Sequence, residues 1–258
     1  MARRAVKLTT LGTGTTALSA TRVRAGHLVA ADDVRLLIDC GSGVTLRLGE
    51  RGDDWLGITH IAITHFHPDH ISDLPTLIHA WKYGTLPARS APLEIIAPAG
   101  FQPILAAMAT AFGGWVTEPG FPVTLTEIGA GDRIRLGAGV ELEAFKVPHT
   151  EESVAYSITH DGRRMVYTGD TGYDEPLARW AHECDLLLCE CSLPPSLAIP
   201  IHLTPEQCGV MAAIASPRRL VLTHLYPPVE RTDIVSDVRK HFSGPVIIAH
   251  DGWSTDVE

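Results

Sequence analysis

The chain has no apolar run approaching the roughly 18 to 20 uninterrupted residues that a membrane span requires. Its opening, MARRAVKLTTLGTG, has no stretch long enough for a secretory signal. Both absences predict a cytoplasmic protein that makes no membrane contact. Cysteine is scarce as well: five among 258 residues (Cys40, Cys184, Cys189, Cys191 and Cys208). An odd number in a long chain argues against a disulfide framework and predicts reduced thiols that pack as small hydrophobes. Cys189 and Cys191 lack the C-x2-C spacing, or the matching second pair, of a thiolate metal site. Basic charge is in deficit, with 21 Lys and Arg against 30 Asp and Glu, and a formal net charge of −9 disfavours a polyanion such as nucleic acid. There is no low-complexity tract, no linker rich enough to divide the chain and no motif repeat, so residues 1–258 are expected to form a single domain.

What is present reads as alternating strands and helices. AVKLTTLG and VRLLIDCGSG are strands that run into glycine turns. ITHIAITH and PLEIIAP are further strands, and FQPILAAMATAF has helical spacing with Gly113-Gly114 as its stop. From Pro122 the segments PVTLTEI, RIRLG, VELEAFKV and SVAYSITHDGRRMVYTG read as consecutive antiparallel strands, with Asp161-Gly162 as a hairpin turn. The alternation then resumes: helix YDEPLARWAHEC, strand DLLLCE, helix TPEQCGVMAAIA, strand RLVLTH, helix VERTDIVSDVRKHF and a last strand, GPVIIAH. Thr204, Pro205 and Gln207 form a capping box that starts a helix just after His202. LGTGTT lacks the G-x-G-x-x-G spacing and any Walker-type lysine, so it predicts a tight turn rather than a nucleotide loop. TLIHAWKYGTLP has helical spacing and is expected to cover the site, to meet a second copy of the chain or, equally, to pack in the interior.

Thirteen histidines are many for this length, and their placement is the clearest signal. THFHPDH, Thr64 to His70, brings three imidazoles and a carboxylate together directly after the apolar run Ile61-Ala62-Ile63. Residues two apart on an extended segment point the same way, so His65 and His67 can converge on one ion. The bend at Pro68 turns Asp69 and His70 toward a second. Imidazole and carboxylate donors, rather than four thiolates, are the set of a hydrolytic site with open positions. His149 after LEAFKVP, Asp170 after MVYTG and His224 after RLVLT each appear where an apolar strand ends. Singly each would be an ordinary hydrogen-bonding group; jointly with THFHPDH they read as further ligands.

The ordered set THFHPDH, VPHT, YTGD and LTHL resembles the metal motifs of the metallo-β-lactamase superfamily over nearly the whole chain. LGTGTT, LLIDCGSG, ITHFHPDHISDLP, the ECSLP and HLTPEQ segments and RLVLTHLYP look most like its ribonuclease Z branch and the small phosphodiesterase relatives. The resemblance implies an α/β fold, a four-layer αβ/βα sandwich of two mixed sheets with helices outside. It also implies two Zn2+, with Mn2+ or Fe2+ as possible replacements. His65, His67 and His149 would hold one ion, Asp69, His70 and His224 the other, and Asp170 would bridge them, with a hydroxide between the metals. His202, held by Glu190, would assist the leaving group, and Asp69 could also move a proton, so Asp69, His202 and Glu190 are the candidate catalytic residues.

One departure from the branch limits the substrate. Its transfer-RNA processing members carry a long basic arm between the third histidine motif and the bridging aspartate, whereas only residues 150–169 separate His149 from Asp170 here. With an acidic chain this makes a large RNA an unfavourable partner. The reading is a phosphodiesterase for a small or cyclic phosphodiester or a short RNA end. The alternatives are a dizinc acyl hydrolase, such as a lactonase or β-lactam-opening enzyme, and a non-catalytic module that keeps metal for folding. A homodimer is a further expectation.

Overall fold

Period-two alternation of apolar residues, broken by glycine turns, gives fourteen strands in a computed structural model that describes residues 6–52, 55–137 and 139–258. The first five residues, part of the opening stretch read for a signal, lie outside the described residues. The first half runs β1 (Val6–Gly12), β2 (Gly26–Ala31), β3 (Val34–Ile38), α1 (Val44–Arg51), β4 (His60–Ala62), α2 (Pro68–Ile71), α3 (Leu74–Tyr83), β5 (Leu93–Pro98), α4 (Phe101–Phe112) and β6 (Val123–Ile128). The second runs β7 (Arg133–Leu136), β8 (Val140–Lys146), β9 (Val154–His160), β10 (Arg163–Tyr167), α5 (Glu175–Trp180), β11 (Leu186–Glu190), α6 (Pro205–Ala215), β12 (Leu220–Thr223), α7 (Ile234–Arg239), β13 (Val246–Ile248) and β14 (Trp253–Val257).

The strands form two mixed seven-stranded sheets, ordered β14-β1-β2-β3-β4-β5-β6 and β13-β12-β11-β10-β9-β8-β7. Counted from β14 in the first and from β7 in the second, each has three antiparallel pairings followed by three parallel ones. Alternate side chains decide which layer a strand feeds. Leu36 and Ile38 pack inward with Leu8, Val29, Tyr156, Met165, Leu188 and Val221 in the core between the sheets. Leu37 points outward to a core with Ile61, Leu77, Trp81 and Phe101. Val166, Leu187 and Cys189 meet Cys208, Met211 and Val238 on the opposite outer face. Helix, sheet, sheet, helix is thus the layer order, the αβ/βα sandwich that the sequence implied.

Several local expectations hold. α4 ends where Gly113 follows it, and the capping box at Thr204 is formed in both directions. Asp161 and Gly162 both have positive φ, at 47° and 74°, as a two-residue hairpin turn of this type requires. All five cysteines are free and buried. Two readings need correction. β6 pairs parallel to β5 in the first sheet instead of joining the antiparallel run, because its pairing follows the α4 crossover and not the hairpin pattern. A last strand, β14, follows GPVIIAH and returns to pair with β1; its WSTDV pattern is too weakly apolar to announce a strand. Of the alternatives for TLIHAWKYGTLP the interior one holds: α3 turns Leu74, Leu77, Ile78 and Trp81 into the core. Among the described residues no helix is long and apolar enough to cross a membrane.

Candidate metal centre

Loops leaving the strands converge at one edge of the sandwich. β4 runs out into Thr64–His67 with His67 still extended, and Pro68 then occupies the first turn of α2, where its missing N–H is tolerated. That turn carries Asp69 and His70 back toward the sheet, both buried. His149 follows β8, Asp170 follows β10 and His224 follows β12. Gly12 shapes the neighbouring turn: a Cβ there would sit 1.7 Å from the Arg24 carbonyl oxygen, so LGTGTT is a close-approach turn beside this edge, as expected.

All seven predicted ligands come together. His67 Nδ1 lies 3.1 Å from His65 Nε2 and 3.1 Å from His149 Nε2. Three nitrogens bound tetrahedrally to one ion at about 2.0–2.1 Å would stand about 3.3 Å apart, so the spacing suits a shared cation. On the other side His224 Nε2 is 3.5 Å from Asp69 Oδ2, and His70 Nε2 is 4.0 Å from it. Asp170 faces both groups. Its Oδ2 lies 3.9 Å from His65 Nε2 and from His149 Nε2, while its Oδ1 lies 3.3 Å from His70 Nε2 and from His224 Nε2. His70 Nε2, His224 Nε2 and Asp170 Oδ1 are buried without a hydrogen-bond partner. Such atoms are costly unless something polar fills the space between them.

The remaining ring nitrogens fix the tautomers. His70 Nδ1 is 2.7 Å from Asp39 Oδ2, His149 Nδ1 is 3.0 Å from the Ile201 carbonyl, and His65 Nδ1 is 3.1 Å from Thr64 Oγ1. A proton held on Nδ1 by an acceptor leaves the Nε2 lone pair for a cation. The Ser192 hydroxyl donates to Glu190 Oε2, so at His224 Nδ1, 3.0 Å away, it accepts. The donor set and its tautomers therefore fit two divalent cations.

Charge is matched to this geometry. Burial disfavours the ionised Asp170 carboxylate, but the imidazoles of His224 and His70 outweigh it and hold the group well below the usual carboxylate range. Burial likewise opposes charge on His70, yet Asp170 and Asp39 draw its imidazole well above the ordinary histidine value.

His202 stands at the mouth. Its Nδ1 is 2.9 Å from Glu190 Oε1, which leaves Nε2 available to the cleft. Burial lowers its proton affinity, but the Glu190 hydrogen bond and charge prevail and raise its pKa to about 9. Glu190 itself is fully buried and also accepts from the backbone N–H groups of Thr171 and Leu203; it touches the cleft only through His202. A cleft of about 260 Å³ opens here, lined by Thr16, His67, Pro68, Asp69, His149, Asp170, Ile201, His202 and Tyr226.

The sequence reading missed Asp39, Ser192 and Tyr226. Asp39 ends the apolar strand LLID, the signal that also marked Asp170, and it accepts from the backbone and hydroxyl of Thr64 as well as from His70. Ser192 had no signal beyond its place beside Glu190. Tyr226 lies two residues beyond His224, and burial first, then Asp170 and Asp69, push its phenol up to about 12.

Sequence and fold comparisons define the family. The profile of the family described as "Beta-lactamase superfamily domain" matches residues 34–225. A protein of Mycobacterium leprae, ML1173, is 32% identical over 98% of this chain and 89% of its own length. A ribonuclease Z of Haloarcula marismortui is 25% identical over 98% of this chain and 97% of its own. That alignment spans 309 positions, so the relative carries residues that this chain lacks. The crystal structure of the metallo-β-lactamase fold protein YhfI from Bacillus subtilis superposes with a TM-score of 0.85 at 23% identity, covering 98% of this chain and 100% of that one. The chain belongs to the metallo-β-lactamase superfamily, in its ribonuclease Z-like branch. It is a metal-dependent hydrolase.

Proposed function

We propose that the protein is a dizinc phosphodiesterase for a small or cyclic phosphodiester or a short RNA end. The observation that carries this reading is Asp170, with one carboxylate oxygen toward each imidazole group, next to a histidine whose proton is held ready by a buried glutamate. His65, His67 and His149 would hold one ion, Asp69, His70 and His224 the other, and Asp170 both. Zinc at these positions would acidify a shared water and neutralise charge growing on a phosphoryl oxygen.

The chain's own groups do the rest. Glu190 fixes the His202 ring, and His202 donates its Nε2 proton to the departing alkoxide oxygen. Glu190 is a positioning residue, since it acts through His202. Asp69, close to His224 at the cleft floor, is the second group able to take up a proton. Because THFHPDH comes from the first sheet and Asp170 from the second, neither half completes the site, which supports treating residues 1–258 as one domain. The short connection between His149 and Asp170, the acidic chain and the small cleft favour a compact substrate over a large RNA.

The test is to load the protein with zinc and compare bis-p-nitrophenyl phosphate, a cyclic nucleotide, a lactone and a chromogenic cephalosporin. Turnover of the first two, lost on chelation, is expected. Turnover of only the last two would replace the phosphodiester reading with the acyl-hydrolase one.

A further inference from the structure

The wall of the cleft beside His202 is formed by the loop between β11 and α6. Its stem is closed by two backbone hydrogen bonds, from Ser192 and Leu193 N–H to the Leu203 carbonyl. Beyond the stem, residues 195–201 (Pro-Ser-Leu-Ala-Ile-Pro-Ile) are all exposed and carry no charge. Leu197, Ile199 and Ile201 are 51%, 43% and 41% exposed. Single exposed aliphatic side chains are ordinary; a contiguous set at the mouth of a reaction site is not. The loop is held in place by Gly172, where a Cβ would lie 1.9 Å from the Pro200 carbonyl oxygen. Tyr173, the residue after Gly172 and so next in the chain to that contact, is 42% exposed. The rim is continuous with the site, because Ile201 lines the cleft and its carbonyl accepts from His149 Nδ1.

Two further observations define what would rest there. The cleft, at about 260 Å³, lies below the roughly 300–1,000 Å³ of a pocket that encloses a drug-sized ligand, so a bulky substituent of a diester, unlike a methyl group, extends onto the rim. No lysine or arginine is among the residues lining the cleft. A phosphomonoester or polyphosphate, with its additional negative charge, would lack a cationic clamp beyond the metals. Resting on the phosphodiesterase reading above, we infer that Leu197, Ile199 and Tyr173 form a specificity surface for an apolar or aromatic substituent of a singly charged phosphodiester.

The test compares two anions of equal charge, diphenyl phosphate and dimethyl phosphate, by calorimetric titration of the zinc-loaded full chain. It uses the wild type and the double variant Leu197→Ser/Ile199→Ser, neither of whose altered residues lines the cleft. Diphenyl phosphate is expected to bind the wild type more tightly and to lose about tenfold in the variant, with dimethyl phosphate unchanged. KM for bis-p-nitrophenyl phosphate should rise in parallel while kcat holds. Equal effects on both anions, or none, overturn the rim and leave the phosphodiester reading intact. Failure of the wild type to bind either anion, with no turnover of the diester, overturns both. Unchanged far-ultraviolet circular dichroism and zinc content of the variant show that it is folded and loaded.

Discussion

The two halves of the molecule share one strand plan and use it differently. In each sheet three antiparallel pairings are followed by three parallel ones, so β4 stands in the first where β11 stands in the second. The loop after β4 delivers four predicted ligands within six residues, His65 to His70. The second sheet supplies single groups at separate strand ends: His149 after β8, Asp170 after β10, Glu190 closing β11 and His224 after β12. The first half thus places ligands by local chain geometry, and the second by strand pairing. A dense motif tolerates small shifts of its sheet as a unit, whereas dispersed groups depend on every register between β8 and β12.

The sharpest way to break this comparison is at Asp170, where the halves meet. Asp170→Ala should reduce bound zinc below two equivalents by elemental analysis and lower phosphodiester turnover by roughly 10³-fold; two full equivalents would contradict a bridging carboxylate. His202→Ala should keep its zinc yet lose roughly 10² to 10³ in kcat, with a larger loss for an alkyl than for a nitrophenyl leaving group. A loss independent of the leaving group would remove the acid role.

Asp39 and Ser192 are the matched pair, since each holds the Nδ1 of an imidazole next to Asp170 Oδ1. Asp39→Ala should weaken zinc affinity by roughly 10- to 100-fold in competition with a chelator, and Ser192→Ala by less. Asp39 is fully buried, and it also ties down Thr64.

The smallest expected effect concerns stability. His27 on β2 is wholly buried, its ring edge-on to Tyr167, and burial, aided by repulsion from His70 and His224, lowers its pKa to about 3. Between that value and the unfolded one near 6.5 the unfolded chain binds the extra proton. Stability contributed by the neutral ring is therefore full above about pH 6.5 and is lost as pH falls, by about 2 kcal/mol at pH 5. His27→Leu should flatten that slope in urea melts at the two pH values; an unchanged slope would show that other groups set it.

How much of this could be read in advance follows the same division. THFHPDH was legible because spacing, bend and donor type coincide in one short segment. His149, Asp170 and His224 were legible only jointly, as polar residues ending apolar strands. The sandwich was implied by the resemblance of the ordered metal motifs to a known superfamily, with which the alternation of strand and helix agreed, and the hairpin at Asp161-Gly162 followed from its turn chemistry. β14 and the parallel pairing of β6 were not readable, because partner choice in a sheet depends on long-range packing rather than on local pattern. Asp39 obeyed the strand-end rule, but the rule alone does not distinguish an ion's ligand from the group that orients one. Ser192 and the apolar rim become visible only once the loop between β11 and α6 is folded against Gly172.

The hydroxyl of Ser192 has a single hydrogen. By giving it to Glu190 the residue must receive one from His224, so the same atom settles which face of one imidazole is bare and helps fix the carboxylate that holds His202. Under the proposed mechanism, occupancy of the ion that His224 would hold and the readiness of His202 to give up its proton would thereby be joined through one oxygen. A partly loaded molecule would accordingly be slack at the position where its substrate departs.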